Sequence, residues 1–564
     1  MMPMTDLPPF LIFYIAAILV MLLPNRLGQL VSLTAPVLGG LLLYFLADTA
    51  GQWHIAEVVL EPVRVDDLSR LFGYLFHIAA FIGVLFSIHL RDRLQATTSL
   101  LYAGSAIGAV FAGDLLTLFF FWELMALSSM FLILARRTER AYRAGMRYFL
   151  IQAVSGVLLL LGTLIIYAQT GSLAFDHIEL TSLASLLIFV AFGIKCAFPL
   201  FHNWLTDSYP ESTPTGAVFL SAFTTKVAVY ALARGFAGTE ALVYIGAVMT
   251  CFPIFYAVIE NDLRRVLAYS MINQIGFMVV GIGLGTALAI NGAIAHAFND
   301  VIFKGLLMMS MGAVLFRTGR MNGSDLGGLY KSMPVTTSLC IIGAASISAF
   351  PLFSGFVSKA MVMSAVLDEG HEFVWLALLF ASAGVFHHAG IKIPFFAFFG
   401  HDAGIRTSEP PVNMLLAMVI AAILCVLIGV YPWLLYDLLP FSVDYNPFDR
   451  SHVLAQLQLL MFSAAAFAWL KFARIYPPEL RSTNIDVEWL YRKFLPGLSS
   501  YCGGLLSSGS RGTSAALRAG NKAIMKVIFR HYGPHGTLAR TWPTGSMVLW
   551  VAIILAASLL LYYF

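Results

Sequence analysis

Charged residues are scarce in this chain of 564 residues: they make up 11% of it, whereas hydrophobic residues make up 59%. A soluble globular domain carries about 25% charged residues. The composition therefore excludes an ordinary soluble protein and indicates one that crosses a membrane many times. The net charge of +4 gives no sign of nucleic-acid binding, so we expect no nucleic-acid partner.

Cofactor and metal motifs are missing as well. The five cysteines are widely scattered, and no pair has the spacing of a zinc or iron–sulfur site. There is no Walker A loop, no dinucleotide fingerprint after a strand and no HExxH motif. The sequence predicts neither a cofactor nor a metal. It favours a protein that is not itself an enzyme, although membership of an oxidoreductase complex stays open.

Long apolar windows run through almost the whole chain, and about sixteen of them are long enough to cross a bilayer. They lie at 9–24, 27–47, 69–90, 97–112, 115–135, 147–168, 183–204, 214–235, 239–259, 266–285, 289–316, 335–367, 373–399, 411–436, 453–473 and 544–563. The first has neither the basic flank nor the cleavage site of a signal peptide, so we expect a retained helix. The window at 335–367 is too long for one span, and Pro351 and Gly355 divide it.

Loop charges predict the orientation in the membrane, because arginine and acidic residues collect in different loops. One set of loops carries Arg26, Arg91, Arg93, Arg136, Arg137, Arg140, Arg143, Arg147, Arg264, Arg265, Arg317, Arg320 and Lys331. The other carries Asp48, Glu57, Glu61, Asp66, Asp67, Asp176, Glu179, Glu240, Asp368, Glu369, Glu372 and Asp437. By the positive-inside rule, the arginine-rich face is cytoplasmic. We expect a multi-pass protein of the cell (inner) membrane with both termini periplasmic or extracellular.

Residues 474–543 differ from the rest, since they mix Arg, Lys, Gly and Ser with apolar residues such as Trp489 and Phe494. We expect a cytoplasmic linker with an amphipathic helix along the membrane; a merely polar linker is the alternative. The predicted organisation is N-terminal transmembrane helices at 1–96, two repeats at 97–235 and 239–400, further core helices at 411–473, the linker at 474–543 and a final transmembrane helix at 544–564.

Two predicted helices are broken at a proline. Lys195 precedes Pro199 in the first, whereas Lys359 follows Pro351 in the second. A charged residue that changes sides of the break is what an inverted repeat would produce. Broken helices at membrane depth are tolerated only where they are buried in protein or line a water-filled cavity. The two breaks therefore suggest an ion route.

Three ionisable residues of the first half lie inside apolar windows. A lysine at the centre of a membrane helix costs roughly 2.5–3.5 kcal/mol even on insertion-based scales. Glu123 has no basic residue nearby in sequence, so its expected partner is Lys195, Lys226 or water; a purely structural ion pair is the alternative. Burial disfavours a charged amine and a nearby carboxylate favours it. Moving such a carboxylate would switch a lysine between holding and releasing a proton.

The second half carries a stripe of ionisable residues. His296, Asp300 and Lys304 follow one another at four-residue steps, so they share one face of a helix, as a proton wire would require. Lys359, after the second break, is the exit-side candidate. The candidates for a secondary proton path are His202, His387, His388 and Lys392. The last three could continue the relay or simply pair with backbone groups.

These residues stand in segments that resemble a known family. The segments are VDDLSRLF at 65–72, FPLFHNWLTDSYPESTPTGA at 198–217, NDLRRVLAYSMINQIGF at 261–277, DLGGLYKSMPVT at 325–336 and FPLFSGFVSK at 350–359. They are similar to motifs of the proton-translocating antiporter-like subunits shared by respiratory complex I, Mrp-type sodium/proton antiporters and membrane-bound hydrogenases. The resemblance implies an all-α polytopic membrane protein with about fourteen core transmembrane helices, two inverted five-helix repeats and two broken helices. The extra C-terminal region resembles the lateral-helix extension of the largest complex I antiporter subunit.

The resemblance also implies roles for the ionisable residues. Glu123 matches the glutamate of the family's fifth helix, and Lys195 and Lys226 match the lysines of the seventh and eighth. His296 and Lys304 match the central relay, and Lys359 matches the twelfth-helix lysine. Asp300 departs from the pattern, since many relatives have histidine there. An aspartate resembles the Mrp D-type subunit more, and beside Lys304 it would hold that lysine charged.

The leading hypothesis is a proton-translocating subunit of a multisubunit cation (Na⁺)/proton antiporter, with other integral membrane subunits as partners. One alternative is a proton-pumping subunit of a redox-driven complex of the complex I or hydrogenase type. Another is a subunit that couples proton flow to inorganic-carbon uptake. A scaffold that conducts nothing fits the apolar surface equally well, but it does not explain several costly ionisable residues at mid-span.

Overall fold

The computed structural model describes residues 8–46, 50–55, 58–473, 475–476, 484–500, 511–533 and 543–563. They form two compact units, Met1–Asn484 and Ile485–Phe564, which are taken one at a time. Asp48 and Glu57 of the acidic loops, and much of the predicted linker at 474–543, lie outside the described residues.

The first unit begins with two apolar helices and a short hairpin. These elements are α1 (Pro9–Leu22), α2 (Asn25–Phe45), β1 (Ala50–Ile55) and β2 (Val58–Arg64). The strands pair antiparallel with a register shift between Gly51 and Trp53. Because of this hairpin, the first unit is not purely helical. The sequence did not predict it.

The remaining helices of this unit follow in an almost unbroken series. They are α3 (Asp67–Ser87), α4 (Arg93–Phe111), α5 (Leu115–Leu134), α6 (Glu139–Thr170), α7 (Leu183–Lys195), α8 (Asn203–Ser208), α9 (Gly216–Ala222), α10 (Thr224–Gly235), α11 (Glu240–Ile259), α12 (Leu263–Leu284), α13 (Ala287–Thr318), α14 (Pro334–Ile347), α15 (Ser354–Asp368), α16 (Glu372–Val385), α17 (Val412–Val430), α18 (Trp433–Tyr436) and α19 (Arg450–Phe472). Aspartates at 66, 92, 114 and 262 accept hydrogen bonds from the first backbone N–H groups of their helices, which is the usual way to satisfy these donors.

Two runs of helices in this unit match each other element by element. Helices α6 and α13 both have 32 residues, and each ends at a left-handed glycine, Gly171 and Gly319. Each preceding helix is capped by an aspartate, Asp114 for α5 and Asp262 for α12. Each aspartate forms an isolated β-bridge to the segment beyond the 32-residue helix. These correspondences support a repeat within residues 93–368.

The two matching runs start at different faces of the unit. The first residues of α5 lie beside β2, since Glu61 N–H donates to Asp114 at 2.8 Å. The first residues of α12 lie instead beside the loop at 209–213, where the Arg264 side chain binds backbone carbonyls. Glu211 of that loop pairs with Arg140 of the arginine-rich face at 2.9 Å. The chain therefore enters corresponding helices from opposite sides, as an inverted repeat requires.

The broken helices have the same backbone in both runs. The sequence AFPLF occupies 197–201 and 349–353, and its alanine and leucine have positive φ in both copies: 63° and 73°, then 57° and 72°. Each such residue costs roughly 1–2 kcal/mol relative to the right-handed region. Strain repeated at two corresponding places is typical of functional sites rather than of plain helix contacts. Both predicted breaks are present in the structure.

Two further irregularities were not predicted. The window at 214–235 is interrupted at Phe223, between α9 and α10, without a proline. The window at 373–399 changes after α16 into π-helical segments, Phe386–Lys392 and Phe395–Phe399. Short π-helical segments often occur at functional sites, and both irregular places lie next to candidate residues.

The spans confirm a polytopic, mostly helical membrane protein. Within the described residues, eleven segments are long and apolar enough to cross a membrane, and four further apolar helices are shorter. The apolar windows at Leu263–Leu284 and Gly216–Gly235 are wholly buried inside the protein, whereas only 11% of the window in Arg450–Phe472 is buried. Lys226 thus lies on a wholly buried window, the window that carries His296, Asp300 and Lys304 is 78% buried, and α19 lies at the periphery.

The described part of the second unit includes a π-helical turn, which is followed by helical residues 495–500, and two longer helices. The turn is Leu490–Phe494, and the helices are α20 (Arg511–Tyr532) and α21 (Pro543–Tyr563). Lys522 and Lys526 alternate with exposed apolar side chains such as Ile524 and Val527 along α20. This pattern is typical of a helix that lies along a membrane surface. The final helix α21 is apolar throughout.

Candidate functional site

The first cluster joins Glu123 and Lys195 across three helices. The Lys195 ammonium at the end of α7 is fully buried, donates to the Trp122 carbonyl at 2.5 Å and lies 4.4 Å from the centroid of the Trp122 ring. Glu123 is its electrostatic partner, as predicted among the alternatives. Ser155 fixes the geometry, because it accepts from the Trp122 indole at 3.0 Å and donates to the Ala191 carbonyl at 2.7 Å.

A glycine makes room for the Glu123 carboxyl group. A Cβ atom placed on Gly156 of α6 would overlap the Glu123 carboxyl oxygen. Oxygen Oε1 of this carboxyl has no hydrogen-bond partner among the described residues. Since none of these residues donates to that oxygen, the space above Gly156 determines where the carboxyl group lies. No sequence pattern indicates this role, because glycines are common throughout the apolar helices.

The centre of the site is an ion pair between the two repeats. Lys226 of α10 and Asp300 of α13 approach to 2.5 Å, and neither side chain has any exposure. Lys226 also donates to the Ser221 carbonyl at 3.4 Å, across the interruption at Phe223. Asp300 was expected to act on Lys304, and it does so electrostatically. Its ion-pair partner is Lys226, which is far away in sequence but adjacent in space and was not predicted.

The first and central clusters are neighbours in space. Cys196 directly follows Lys195 in the chain and interacts electrostatically with Lys226. Glu123 and Lys195 interact electrostatically and Lys226 pairs with Asp300, so the link between these two pairs is the electrostatic influence of Lys226 on Cys196, the neighbour of Lys195.

The second-half cluster surrounds Asp300. Lys304 donates to the Ser270 hydroxyl of α12 at 2.8 Å. Lys359 donates to the Ile347 carbonyl at 3.4 Å and lies 4.9 Å from the centroid of the Phe277 ring. Asp300 acts electrostatically on both lysines. The hydrogen-bond and ion-pair partners of the stripe His296, Asp300 and Lys304 come from α10, α12 and α15.

His296 is held in one orientation by two side chains. Its Nε2 lies 3.1 Å from the Gln274 oxygen, and its Nδ1 lies 3.0 Å from the Ser358 hydroxyl. The Gln274 amide nitrogen donates to Asn273 at 2.7 Å, so its oxygen faces His296. Because an amide oxygen only accepts, Nε2 carries hydrogen and Nδ1 accepts from Ser358 in the neutral ring. Such a ring can pass a proton between its two nitrogens.

The residues predicted for a secondary path do not form one group. His202 is buried and stacks on Phe252 at 4.7 Å between ring centroids, beyond the first break. His387 is partly exposed and packs against Phe467 and Tyr476. His388 is fully buried and interacts electrostatically with Lys304, whereas Lys392 donates to the Val258 and Glu260 carbonyls at 2.6 Å each.

Several polar residues that contact the ionisable groups were not predicted. They are Trp122, Ser270, Gln274 and Ser358. These residues were only weakly indicated by the sequence. A serine or an amide side chain within an apolar helix must find a hydrogen-bond partner inside the protein. No pattern indicates which partner it finds.

Arg264 fastens the start of α12 to the loop at 209–213. Its side chain is 1% exposed and donates to the carbonyls of Pro210 and Ser212 at 3.1 and 3.0 Å. We expect Arg264→Ala to destabilise the protein by about 3 kcal/mol, because several buried carbonyls lose a charged donor. The measurement is the fraction of monodisperse protein that survives heating.

Arg265 is the matched control for that prediction. Its side chain is 29% exposed, and its closest acidic partner, Glu260, is 3.8 Å away. Arg265→Ala should cost less than about 1 kcal/mol. Equal losses for the two variants would contradict the anchoring role of Arg264.

Comparison with known proteins finds relatives among the antiporter-like membrane subunits that the sequence motifs resemble. The chain is 30% identical over 423 residues to a Na(+)/H(+) antiporter subunit of Alkalihalophilus pseudofirmus; the match covers 66% of this chain and 52% of that protein. It is 26% identical to "Hydrogenase-4 component B" of Escherichia coli, with 67% of this chain and 63% of that protein covered. The chain thus spans about half to two thirds of the length of these relatives.

Similarity to a solved structure confirms the fold. A chain of the Mrp complex from a Dietzia species superposes with a TM-score of 0.70 at 22% identity, and the match covers 83% of this chain and all of that one. At this identity the likeness concerns the fold alone. The model of the family "NADH:quinone oxidoreductase/Mrp antiporter, TM" matches residues 112–386, which contain all the ionisable residues of the central series. The chain is a multi-pass membrane protein that is similar, over residues 112–386, to the NADH:quinone oxidoreductase/Mrp antiporter transmembrane family.

Proposed function

We propose that this protein is a proton-translocating subunit of a multisubunit membrane complex, most simply a cation (Na⁺)/proton antiporter. The observation that carries the proposal is the buried Lys226–Asp300 pair at 2.5 Å, which connects the ionisable groups of the two repeats. An isolated buried ion costs several kcal/mol, so a scaffold would gain nothing from this series. The other subunits would be integral membrane proteins of the same complex.

The relay runs between the two repeats, which we take as residues 97–235 and 239–400. A proton taken up near Glu123 passes from Lys195 to Lys226, then to Lys304, and leaves by Lys359. His296 is bonded to Ser358, the residue before Lys359, at 3.0 Å, so it can assist the last transfer. The two AFPLF breaks supply irregular, polar backbone at mid-membrane, which can line water-filled cavities.

Orientation follows from the loop charges. Arg136, Arg140 and Arg147 cluster at one face of the first unit, where they pair with Glu211 and Asp207. We place this face in the cytoplasm by the positive-inside rule. Both termini would then lie on the opposite side of the membrane.

The proposal is tested by proton flux in sealed vesicles that contain the complete complex. An antiporter acidifies or alkalises the lumen when Na⁺ is added, with no electron donor present. A redox-driven complex, the alternative suggested by the hydrogenase-4 relative, moves protons only when an electron donor is supplied. A response to bicarbonate alone would favour inorganic-carbon uptake, and the absence of flux under all three conditions would contradict proton translocation.

His388 offers a side branch from the relay. It is fully buried on the π-helical segment and interacts electrostatically with both Lys304 and Lys392. Neither ring nitrogen has hydrogen-bond geometry to a partner within the described residues, although the Gly384 carbonyl lies nearby. Lys392 contacts the last residues of α11, next to the arginine-rich face.

We expect His388→Ala to reduce proton flux partially, by less than the roughly 100-fold expected for an obligatory proton carrier. Added imidazole should restore part of the flux, because it can fill the space and carry protons. His387→Ala is the matched control and should retain the flux, since His387 packs on aromatic rings at the edge. Flux unchanged in His388→Ala, or lost without rescue, would contradict the branch.

A further inference from the structure

Three lysines converge on one carboxylate at the centre of the protein. Lys226, Lys304 and Lys359 are at most 2% exposed, and Asp300 is fully buried. Lys226 contacts Asp300, Lys304 lies one turn further along α13, and Asp300 acts electrostatically on both Lys304 and Lys359. Within the described part of the chain, neither Lys304 nor Lys359 has a carboxylate at salt-bridge distance; a hydroxyl and a carbonyl are their nearest acceptors. Only Lys226 makes the short contact with Asp300.

Charge balance limits how many of these lysines are protonated together. Three ammonium groups and one carboxylate would leave two uncompensated charges in a buried interior, at several kcal/mol for each ion. His296 cannot compensate this excess, because an imidazole ring is either neutral or positively charged. The arrangement is therefore most stable with a single protonated lysine, the one that Asp300 contacts, and two neutral amines.

The Asp300 carboxylate lacks fixed hydrogen-bond donors. Among the residues that the structure describes, neither of its oxygens has a hydrogen-bond partner with proper geometry, although Lys226 lies at ion-pair distance. Asp114 shows the contrast: its carboxylate accepts from the Thr117 N–H at 2.7 Å, the Thr117 hydroxyl at 2.6 Å and the Glu61 N–H at 2.8 Å. A carboxylate without such donors can change partner by rotating its side chain.

We propose that Asp300 is a movable counter-ion shared by Lys226, Lys304 and Lys359, and that its position determines which of them carries the proton. When it swings from Lys226 to Lys304, one turn along α13, the Lys226 ammonium gives its proton to the neutral Lys304 amine. One N–H bond breaks and one forms, the carboxylate stays ionised, and the net charge of the cluster is unchanged. This inference rests on the proposed proton translocation and names the device that gates passage between the repeats.

The test is a thermal-stability series on the complete purified complex, which does not depend on transport. Asp300→Asn should lower the apparent melting temperature by several degrees, because the protonated lysine loses its counter-ion and no other carboxylate of the cluster can replace it. Lys226→Met should lower it much less, because Asp300 then pairs with Lys304 or Lys359. The triple variant Lys226→Met/Lys304→Met/Lys359→Met should again show the large loss, since Asp300 is left alone.

Any other outcome would contradict the proposal that Asp300 is a counter-ion shared by the three lysines. Equal losses for Lys226→Met and Asp300→Asn would indicate a fixed pair, and a small loss in the triple variant would indicate that Asp300 simply becomes neutral. If the triple variant does not assemble, the doubles Lys226→Met/Lys304→Met and Lys226→Met/Lys359→Met replace it, and both should remain close to Lys226→Met. Lys195→Met controls for the loss of a buried lysine that does not contact Asp300. A lack of proton flux in the unmodified complex would refute the proposed function while leaving this series readable.

Discussion

Lys195→Met is expected to abolish coupled proton transport by the complete complex, with a loss of at least about 100-fold. The Lys195 ammonium is fully buried beside Trp122 and is the electrostatic partner of Glu123. Methionine fills a similar volume but cannot hold a proton, so the series is interrupted before Lys226. Glu123→Gln should have a comparable effect, because it removes the charge that favours the protonated lysine. The measurement is the pH change inside sealed vesicles after a cation pulse.

An exposed lysine provides the control for this prediction. Lys331 lies at the arginine-rich face, pairs with Asp402 at 3.1 Å and is 49% exposed. Lys331→Met should leave the flux unchanged. Wild-type flux in both Lys195→Met and Glu123→Gln, with the complex fully assembled, would refute the first half of the relay.

Gly156→Ala is expected to reproduce the transport defect of Glu123→Gln without changing any ionisable residue. The new methyl group would occupy the position of the Glu123 carboxyl, so that group must move away from Lys195. A displacement of about 1 Å between reacting groups can cost on the order of 100-fold in rate. The measurement is again cation-driven proton flux, accompanied by a check that the complex is assembled.

Gly305 supplies the matched control. It lies inside α13, next to Lys304, and a Cβ placed on it would meet nothing within 4 Å. Gly305→Ala should therefore retain transport and slightly stabilise the helix, since alanine is preferred to glycine in helix interiors. Equal flux in Gly156→Ala and wild type would show that the Glu123 carboxyl does not depend on this space.

Much of the architecture could be predicted because it depends on local chemistry. Long apolar windows indicate spans directly, and prolines at mid-span indicate breaks, so both AFPLF interruptions were predicted. The interruption at Phe223 and the π-helical turns after Val385 were not. Neither the residues around Phe223 nor the start of the π-helical segment carries a proline, and tertiary contacts rather than local propensity determine the backbone there. The hairpin at 50–64 was also missed, and its backbone likewise depends on tertiary contacts rather than on local propensity.

The sequence allowed the ionisable residues of the site to be predicted. It did not allow us to predict which of them contact each other. Ionisable side chains within apolar windows are rare, so each of them can be recognised from the sequence as a candidate functional residue. The partner of Asp300, however, depends on how α10 and α13 meet, and the chain positions 226 and 300 give no hint of a contact. The role of Gly156 could not be predicted either, because this residue leaves space for a carboxyl group from another helix. Geometry between helices is information that a single sequence does not display.

Proton flux through the complete complex with Lys226→Met tests the central claim most directly, since this lysine makes the short ion pair between the two repeats. The account predicts an assembled complex, only slightly less stable than wild type, that no longer moves protons across the membrane. Flux at the wild-type rate in this variant would contradict the relay.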